Sequence, residues 1–251
     1  MGLHVERRGS GPRVALVHGF TQTGRSWDDL ADELARDHEV LLPDAPGHGG
    51  SATVEADLVA GADLLDQAAG PATYVGYSMG ARLSLHVALQ HPDRVAGLVL
   101  LGGTAGLEDP DERAARVAQD EAMALRLAEQ GLDRFLADWV AQPLFTGIPP
   151  ARVGMEDRHS NTVAGLRSSL ELAGTGAQEP LWERLGDLQG PVLILAGEHD
   201  AKFAAIGERL AAGIGPNAML ALVPGAGHAA HLERPDAFLA ILRPWLAARS
   251  L

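Results

Sequence analysis

A serine set among glycines stands where an apolar run hands over to a helical one. Gly76-Tyr77-Ser78-Met79-Gly80 follows Thr73-Tyr74-Val75 and leads into Arg82-Leu83-Ser84-Leu85-His86-Val87-Ala88-Leu89. A strand, a G-x-S-x-G turn and a helix in that order form the pattern of a nucleophile elbow. The glycines have a steric reason: so sharp a turn holds its serine in a strained backbone, and small neighbours let strand and helix approach. The serine oxygen is then lifted above the sheet, and the Met79 N–H lies at the positive end of a helix. A glycine-flanked surface turn would read the same in isolation, so the surrounding pattern has to decide.

That pattern is an alternation. Leu3 and Val5 alternate with polar residues before Gly9-Ser10-Gly11-Pro12, which suggests an edge hairpin. Val14–Val17 and Val40–Leu42 are continuous apolar runs, as expected of strands buried on both faces. Trp27, Leu30, Ala31 and Leu34 repeat at helical spacing between them, and 54–69 reads as a second helix. After the elbow helix, Val95–Leu101 makes another strand. Strands and helices in strict turn predict an α/β architecture with a mostly parallel sheet covered on both faces. From Asp109 to about Leu185 the text turns helical and charged with no buried strand, and alternation resumes at Val192–Ala196 and Met219–Val223. The expected division is therefore a core of 1–104 and 186–251 with a helical lid inserted at 105–185.

Two late loops carry candidates for the other members of a serine triad, which in one common order runs Ser, acid, His. Gly197-Glu198-His199-Asp200 follows one strand and Pro224-Gly225-Ala226-Gly227-His228 the next. Asp200 is the expected acid with Glu198 as alternative, and His228 the expected base with His231 as competitor. An oxyanion hole needs two converging N–H groups: Met79 offers one, and Phe20 in His18-Gly19-Phe20 the other. His18 and His48 read as structural loop residues. The other histidines (4, 38, 86, 91, 159, 199) share no ligand spacing, so no metal is expected.

Composition excludes several alternatives. With no cysteine, thiolate catalysis, disulfides and cysteine-bound metal are out. A net charge of −13 argues against nonspecific nucleic-acid binding and against anionic membrane surfaces. No apolar run reaches spanning length and the first residues lack an apolar leader segment, so a soluble cytoplasmic protein without membrane insertion is expected.

Together L-V-H-G-F-T, D-A-P-G-H-G-G-S, G-Y-S-M-G-A-R, G-E-H-D-A-K-F and G-A-G-H-A-A-H resemble the α/β-hydrolase superfamily over nearly the whole chain. Arg82, the stretch Gly106–Arg116, Ala137-Asp138-Trp139 with Gln142-Pro143, Gly174-Thr175-Gly176 and Leu181-Trp182 narrow the resemblance. They are similar to the 2-succinyl-6-hydroxy-2,4-cyclohexadiene-1-carboxylate (SHCHC) synthases of menaquinone biosynthesis. The resemblance implies a cofactor-free lyase that eliminates pyruvate from 2-succinyl-5-enolpyruvyl-6-hydroxy-3-cyclohexene-1-carboxylate. Ser78, with His228 and Asp200, would then act as a base, and Arg82, Arg116, Trp139 and Tyr77 would bind a small polycarboxylate. Ala81, where a second glycine often follows the elbow, is the one mild departure. A carboxylic-ester hydrolase working through an acyl-serine is the alternative, with a non-catalytic small-molecule receptor third. Paired pocket arginines separate the first from the second, because neutral esters want an apolar pocket.

Overall fold

The computed structural model describes residues 2–249 and 251. Its core is a seven-stranded sheet of β1 (Val5–Gly9), β2 (Arg13–Val17), β3 (Glu39–Pro43), β4 (Ala72–Tyr77), β5 (Val95–Leu101), β6 (Val192–Gly197) and β7 (Ala218–Val223). The order is β1-β3-β2-β4-β5-β6-β7, with β1 antiparallel and every other pair parallel. Alternate residues of each inner strand feed opposite faces. Ala15, Val17, Leu98 and Leu100 enter one buried cluster, while Val14, Leu16, Val99 and Leu101 enter the other. Both faces are covered, which is why these strands read as unbroken apolar runs.

The helices that cover the faces are α1 (Asp28–Leu34), α2 (Leu58–Ala69), α3 (Met79–Gln90), then, after the insertion described below, α8 (Ala201–Ile214), the short α9 (Ala230–Glu233) and α10 (Pro235–Ala247). Helix α2 begins at Leu58, later than the spacing suggested, because Asp57 caps it by accepting from the Ala60 N–H at 2.8 Å.

The edge hairpin expected at the start is not formed. β1 pairs antiparallel with β3, from Val5 opposite Pro43 to Gly9 opposite Glu39, and β2 lies on the other side of β3. Gly9 and Gly11, at φ +71° and +126°, press on the backbone of Ala35 to His38. The turn thus carries the chain past β3 instead of back along β1.

Between β5 and β6 run α4 (Pro110–Gln130), α5 (Leu132–Val140), α6 (Met155–Arg158) and α7 (Val163–Ala173), with no strand among the described residues. These helices build a small core of their own from Leu127, Phe135, Leu136 and Leu166, against which Phe20 and Trp139 pack. The insertion's two ends are tied together: the Leu181 N–H donates to Ala105 O at 2.7 Å and Trp182 Nε1 to Gly106 O at 2.9 Å. No helix among the described residues is long and apolar enough to cross a membrane.

Candidate active site

Ser78 follows β4 directly at φ 51°, ψ −107°, one of two non-glycine residues with positive φ among those described. A backbone held there stores strain of roughly 1–3 kcal/mol, which surrounding structure must over-determine. The glycines supply the room. A Cβ on Gly76 would stand 2.3 Å from Gly80 O, and one on Gly80 would stand 2.2 Å from Val17 O. Ala81 is tolerated because a glycine, Gly103, faces its methyl. The Ser78 N–H donates to Leu101 O at 2.8 Å, fastening the turn to β5.

The loops after β6 and β7 bring the other two groups to this serine. His228 Nδ1–H donates to Asp200 Oδ2 at 2.8 Å, and His228 Nε2 faces Ser78 Oγ at 3.4 Å. Since Nδ1 donates, Nε2 is the free lone pair, the tautomer a base needs. The 3.4 Å separation is long, as such contacts often are before substrate tightens them. Asp200 also caps α8 by accepting from the Phe203 N–H at 3.3 Å, so one carboxylate ends a strand loop, starts a helix and orients the imidazole. Phe203 and Tyr77 pack on the His228 ring with centroids 4.5 and 5.4 Å away.

The two competitors lie elsewhere. Glu198 accepts from the Gly225 N–H at 2.8 Å. His231 is buried between Trp27 and Tyr77, ring centroids 4.2 and 4.4 Å apart, and neither of its nitrogens has a hydrogen-bond partner. Burial, followed by the charges of His228 and Arg158, drives its pKa well below the usual histidine value.

Phe20 and Met79 line the same cavity as Ser78, and neither N–H is engaged in a turn or loop hydrogen bond. Beneath them His18 donates from Nδ1 to Gly19 O at 2.8 Å and accepts at Nε2 from the Ala45 N–H at 3.0 Å. His48 donates to Pro46 O at 2.9 Å and accepts from the Thr21 N–H at 3.3 Å. Burial above all pushes His18 down to about 4 and His48 down to about 3, so both are neutral struts of the loop.

That loop holds a feature the sequence does not announce: Thr21, the second positive-φ non-glycine, at φ 67°. It is clamped from the insertion, where Arg158 donates to Thr21 Oγ1 and Asn161 Nδ2 donates to Thr21 O at 2.8 Å. Arg158 is buried, and burial lowers its pKa more than any other influence.

A cavity of about 220 Å³ opens above Ser78, lined by Tyr77, Arg82, Arg116, Trp139, Arg158 and Lys202 among others. Its four cations differ. Arg82 is buried and caps the C-terminus of α7, donating to Ala173 O at 2.9 Å and Gly174 O at 3.3 Å. Carbonyl dipoles suit a cation there without cancelling its charge. Burial first, then the charge of Arg116, lowers its pKa to about 10. Arg116 is instead paired with the buried Asp120 at 2.9 Å. Neither Arg82 nor Arg158 has a carboxylate within ion-pair distance among the described residues; Asp157, beside Arg158 in sequence, turns to Thr23. Trp139 packs on Phe20 and Phe145, its Nε1 buried without a partner. Arg158, Lys202 and Phe203 are among the lining residues to which the sequence assigned no role. Among the described residues no three His, Asp or Glu side chains converge as metal ligands would.

The sequence pattern of an alpha/beta hydrolase family matches residues 14–241. The 2-succinyl-6-hydroxy-2,4-cyclohexadiene-1-carboxylate synthase of Klebsiella pneumoniae is 34% identical, over 94% of this chain and 94% of that one. That of Enterobacter sp. is 34% identical, over 95% and 93%. Among solved structures, MenH from S. aureus superposes with a TM-score of 0.91 at 27% identity, covering 99% of both chains. A thermophilic esterase from Thermogutta terrifontis superposes at 0.83 with 26% identity, covering 98% and 93%.

Proposed function

The chain belongs to the α/β-hydrolase family, among the SHCHC synthases, and we propose from that premise how its own residues perform a pyruvate-releasing elimination. The substrate is the small polyanion 2-succinyl-5-enolpyruvyl-6-hydroxy-3-cyclohexene-1-carboxylate. Its carboxylates face Arg82, Arg158 and Arg116, with Trp139 and Tyr77 walling the ring. His228 draws the proton from Ser78 Oγ, and the alkoxide removes a ring proton next to the succinyl carbonyl. The N–H groups of Phe20 and Met79 hold the charge that develops on that carbonyl oxygen. As the carbonyl re-forms, the ring C–O bond to the enolpyruvyl group breaks. The departing enolate takes the proton held by the His228 imidazolium and leaves as pyruvate, which returns Ser78 and His228 to their starting protonation states. Asp200 stabilises the imidazolium throughout. No cofactor enters these steps. The 105–185 insertion acts as the lid on the 1–104 and 186–251 core, and the cytoplasm is the site of action.

The observation that carries this reading is the pair of buried guanidiniums, Arg82 and Arg158, facing the same cavity as Ser78 with no carboxylate partner. Buried cations without counter-ions are unfavourable unless a ligand supplies the anion. They also offset the repulsion a polyanion meets from a protein of charge −13. The test is turnover of the cyclohexene substrate beside a panel of p-nitrophenyl esters. Pyruvate release should dominate. Efficient hydrolysis of p-nitrophenyl acetate with no pyruvate released would install the acyl-serine esterase instead. That second reading is favoured by the free oxyanion N–H groups and the fold shared with the thermophilic esterase.

A further inference from the structure

We propose that Glu233 is the positioning residue of the base: its carboxylate pins the backbone on both sides of His228 and seats the 143–148 turn of the insertion against that pin. Glu233 closes α9 and is buried, with no Lys, Arg or His within ion-pair distance among the described residues. An uncompensated buried carboxylate is tolerated only when hydrogen bonds satisfy it. Here Oε2 accepts from the Gly227 N–H at 2.7 Å and Oε1 from the Ala229 N–H at 3.0 Å. The residue between those two amides is His228. Charge-assisted bonds on both flanks leave its backbone little freedom.

The rest of the loop is fastened differently. Glu198 accepts from the Gly225 N–H and Arg234 Nε donates to Gly225 O at 3.0 Å, both at the exposed start of the turn. At the buried end, from which the imidazole projects, Ala226 O and Ala229 O accept backbone N–H bonds, while the Glu233 carboxylate takes the N–H groups on both sides of His228. With Nε2 already 3.4 Å from Ser78 Oγ, a small displacement there would break the contact.

The insertion meets the same carboxylate. A Cβ placed on Gly147 would stand 2.1 Å from Glu233 Oε2, so any side chain there would displace the carboxylate from its two N–H donors. Gly147 lies between Phe145 and Ile148, which both line the cavity over Ser78. The residue that fixes the base therefore also supports the cavity wall.

This inference rests on His228 being the base and not on which substrate it serves. Glu233→Gln keeps the shape but turns an amide NH2 toward one of the two N–H donors, leaving one bond at most. It should lower kcat about 10- to 100-fold, the penalty of a misplaced catalytic group, with KM within about twofold. The downfield proton resonance of His228 Nδ1–H, on its bond to Asp200, should shift or broaden in the folded variant. Gly147→Ala should also lower kcat, and should add little on top of Glu233→Ala, where the opposing oxygen is gone. Kinetics are read on pyruvate release and on p-nitrophenyl acetate. If only the ester is turned over, the synthase reading falls while Glu233 is judged on the ester. Wild-type kcat and an unmoved resonance in Glu233→Gln would overturn the proposal. Additive effects of Gly147→Ala and Glu233→Ala would remove the link to the insertion. Should the Glu233 variants fail to fold, an unchanged kcat in Gly147→Ala would overturn that link by itself.

Discussion

The strand-end half of the site and the insertion half are built by opposite means. Ser78, Asp200 and His228 are placed by backbone: each stands just beyond the C-terminal end of a parallel strand, in a loop fixed by amide hydrogen bonds. Arg116 and Arg158 are placed by side chains that must reach across from helices of the insertion. The first half is tightly packed beneath its surface, with His18, His48 and His231 held uncharged by burial and the carboxylates Asp200 and Glu233 buried on hydrogen bonds. The second is a set of buried or half-buried cations. One half is suited to moving a proton, the other to holding an anion still while it moves.

Breaking the strand-end half should have the largest effect. Ser78→Ala should abolish pyruvate release by several orders of magnitude while circular dichroism and the thermal midpoint stay near wild type. His228→Ala should lose about as much, because base and serine act as one unit. His231→Ala should be far milder on the chemical step, since its ring has no path to Ser78. A variant lacking His228 that kept most of its rate, while one lacking His231 lost it, would reverse the assignment.

The arginines should separate from one another. Arg158→Ala removes both a cation and the clamp on Thr21, so it should slow elimination and ester hydrolysis alike. Arg82→Ala should lose about 1.5–3 kcal/mol of transition-state stabilisation on the anionic substrate, the range for a charged hydrogen bond. It should lose much less on neutral esters. Arg116, partly exposed and already paired with Asp120, should show the same selectivity at smaller size. Rates measured for all three on both substrates decide the matter. Equal losses across substrates for Arg82 and Arg116 would mean that they serve the insertion's structure only.

The same contrast explains what the sequence discloses. Ser78, Met79, Phe20, Asp200 and His228 sit in loops or at a helix start just beyond strand ends, positions that follow once apolar runs are read as parallel strands, so their nearness is a property of the fold. Arg82 is legible for a similar reason: it lies one helical turn beyond Ser78, which precedes α3 and whose carbonyl accepts the Arg82 N–H at 3.2 Å. Arg158 and Asn161 are not, because their partners in Thr21 lie 137 and 140 residues away and depend on how the insertion folds back. Positive φ at Thr21 has no signature in a threonine. The hairpin expectation failed where turn chemistry was local but pairing was not: Glu39 draws both Arg7 and Arg13, and β3 takes the place between β1 and β2.

The smallest effect tests the strand-end half through stability. His18, His48, His86 and His231 all have pKa values lowered chiefly by burial, His86 to about 4. For such groups the unfolded chain takes up protons first, so their contribution to stability is whole above the unfolded value near 6.5. It is lost progressively as pH falls toward the folded values. The urea midpoint should therefore drop as pH falls from 6.5 to 4, with the lowered carboxyls of Glu39 and then Asp37 adding to the fall at its acid end. Asp157, raised mainly by burial, pulls weakly the other way. His86→Leu isolates one member, because His86 is buried in α3 with Nε2 unpartnered and has no part in the proposed chemistry. Its stability should differ from wild type by a constant above pH 7, with the difference shifting in its favour below 6.5. The shift approaches the one-proton limit of ~1.4 kcal/mol per pH unit. Parallel curves for variant and wild type down to pH 4 would mean that His86 titrates alike folded and unfolded, and that this side of the sheet is wetter than its packing implies.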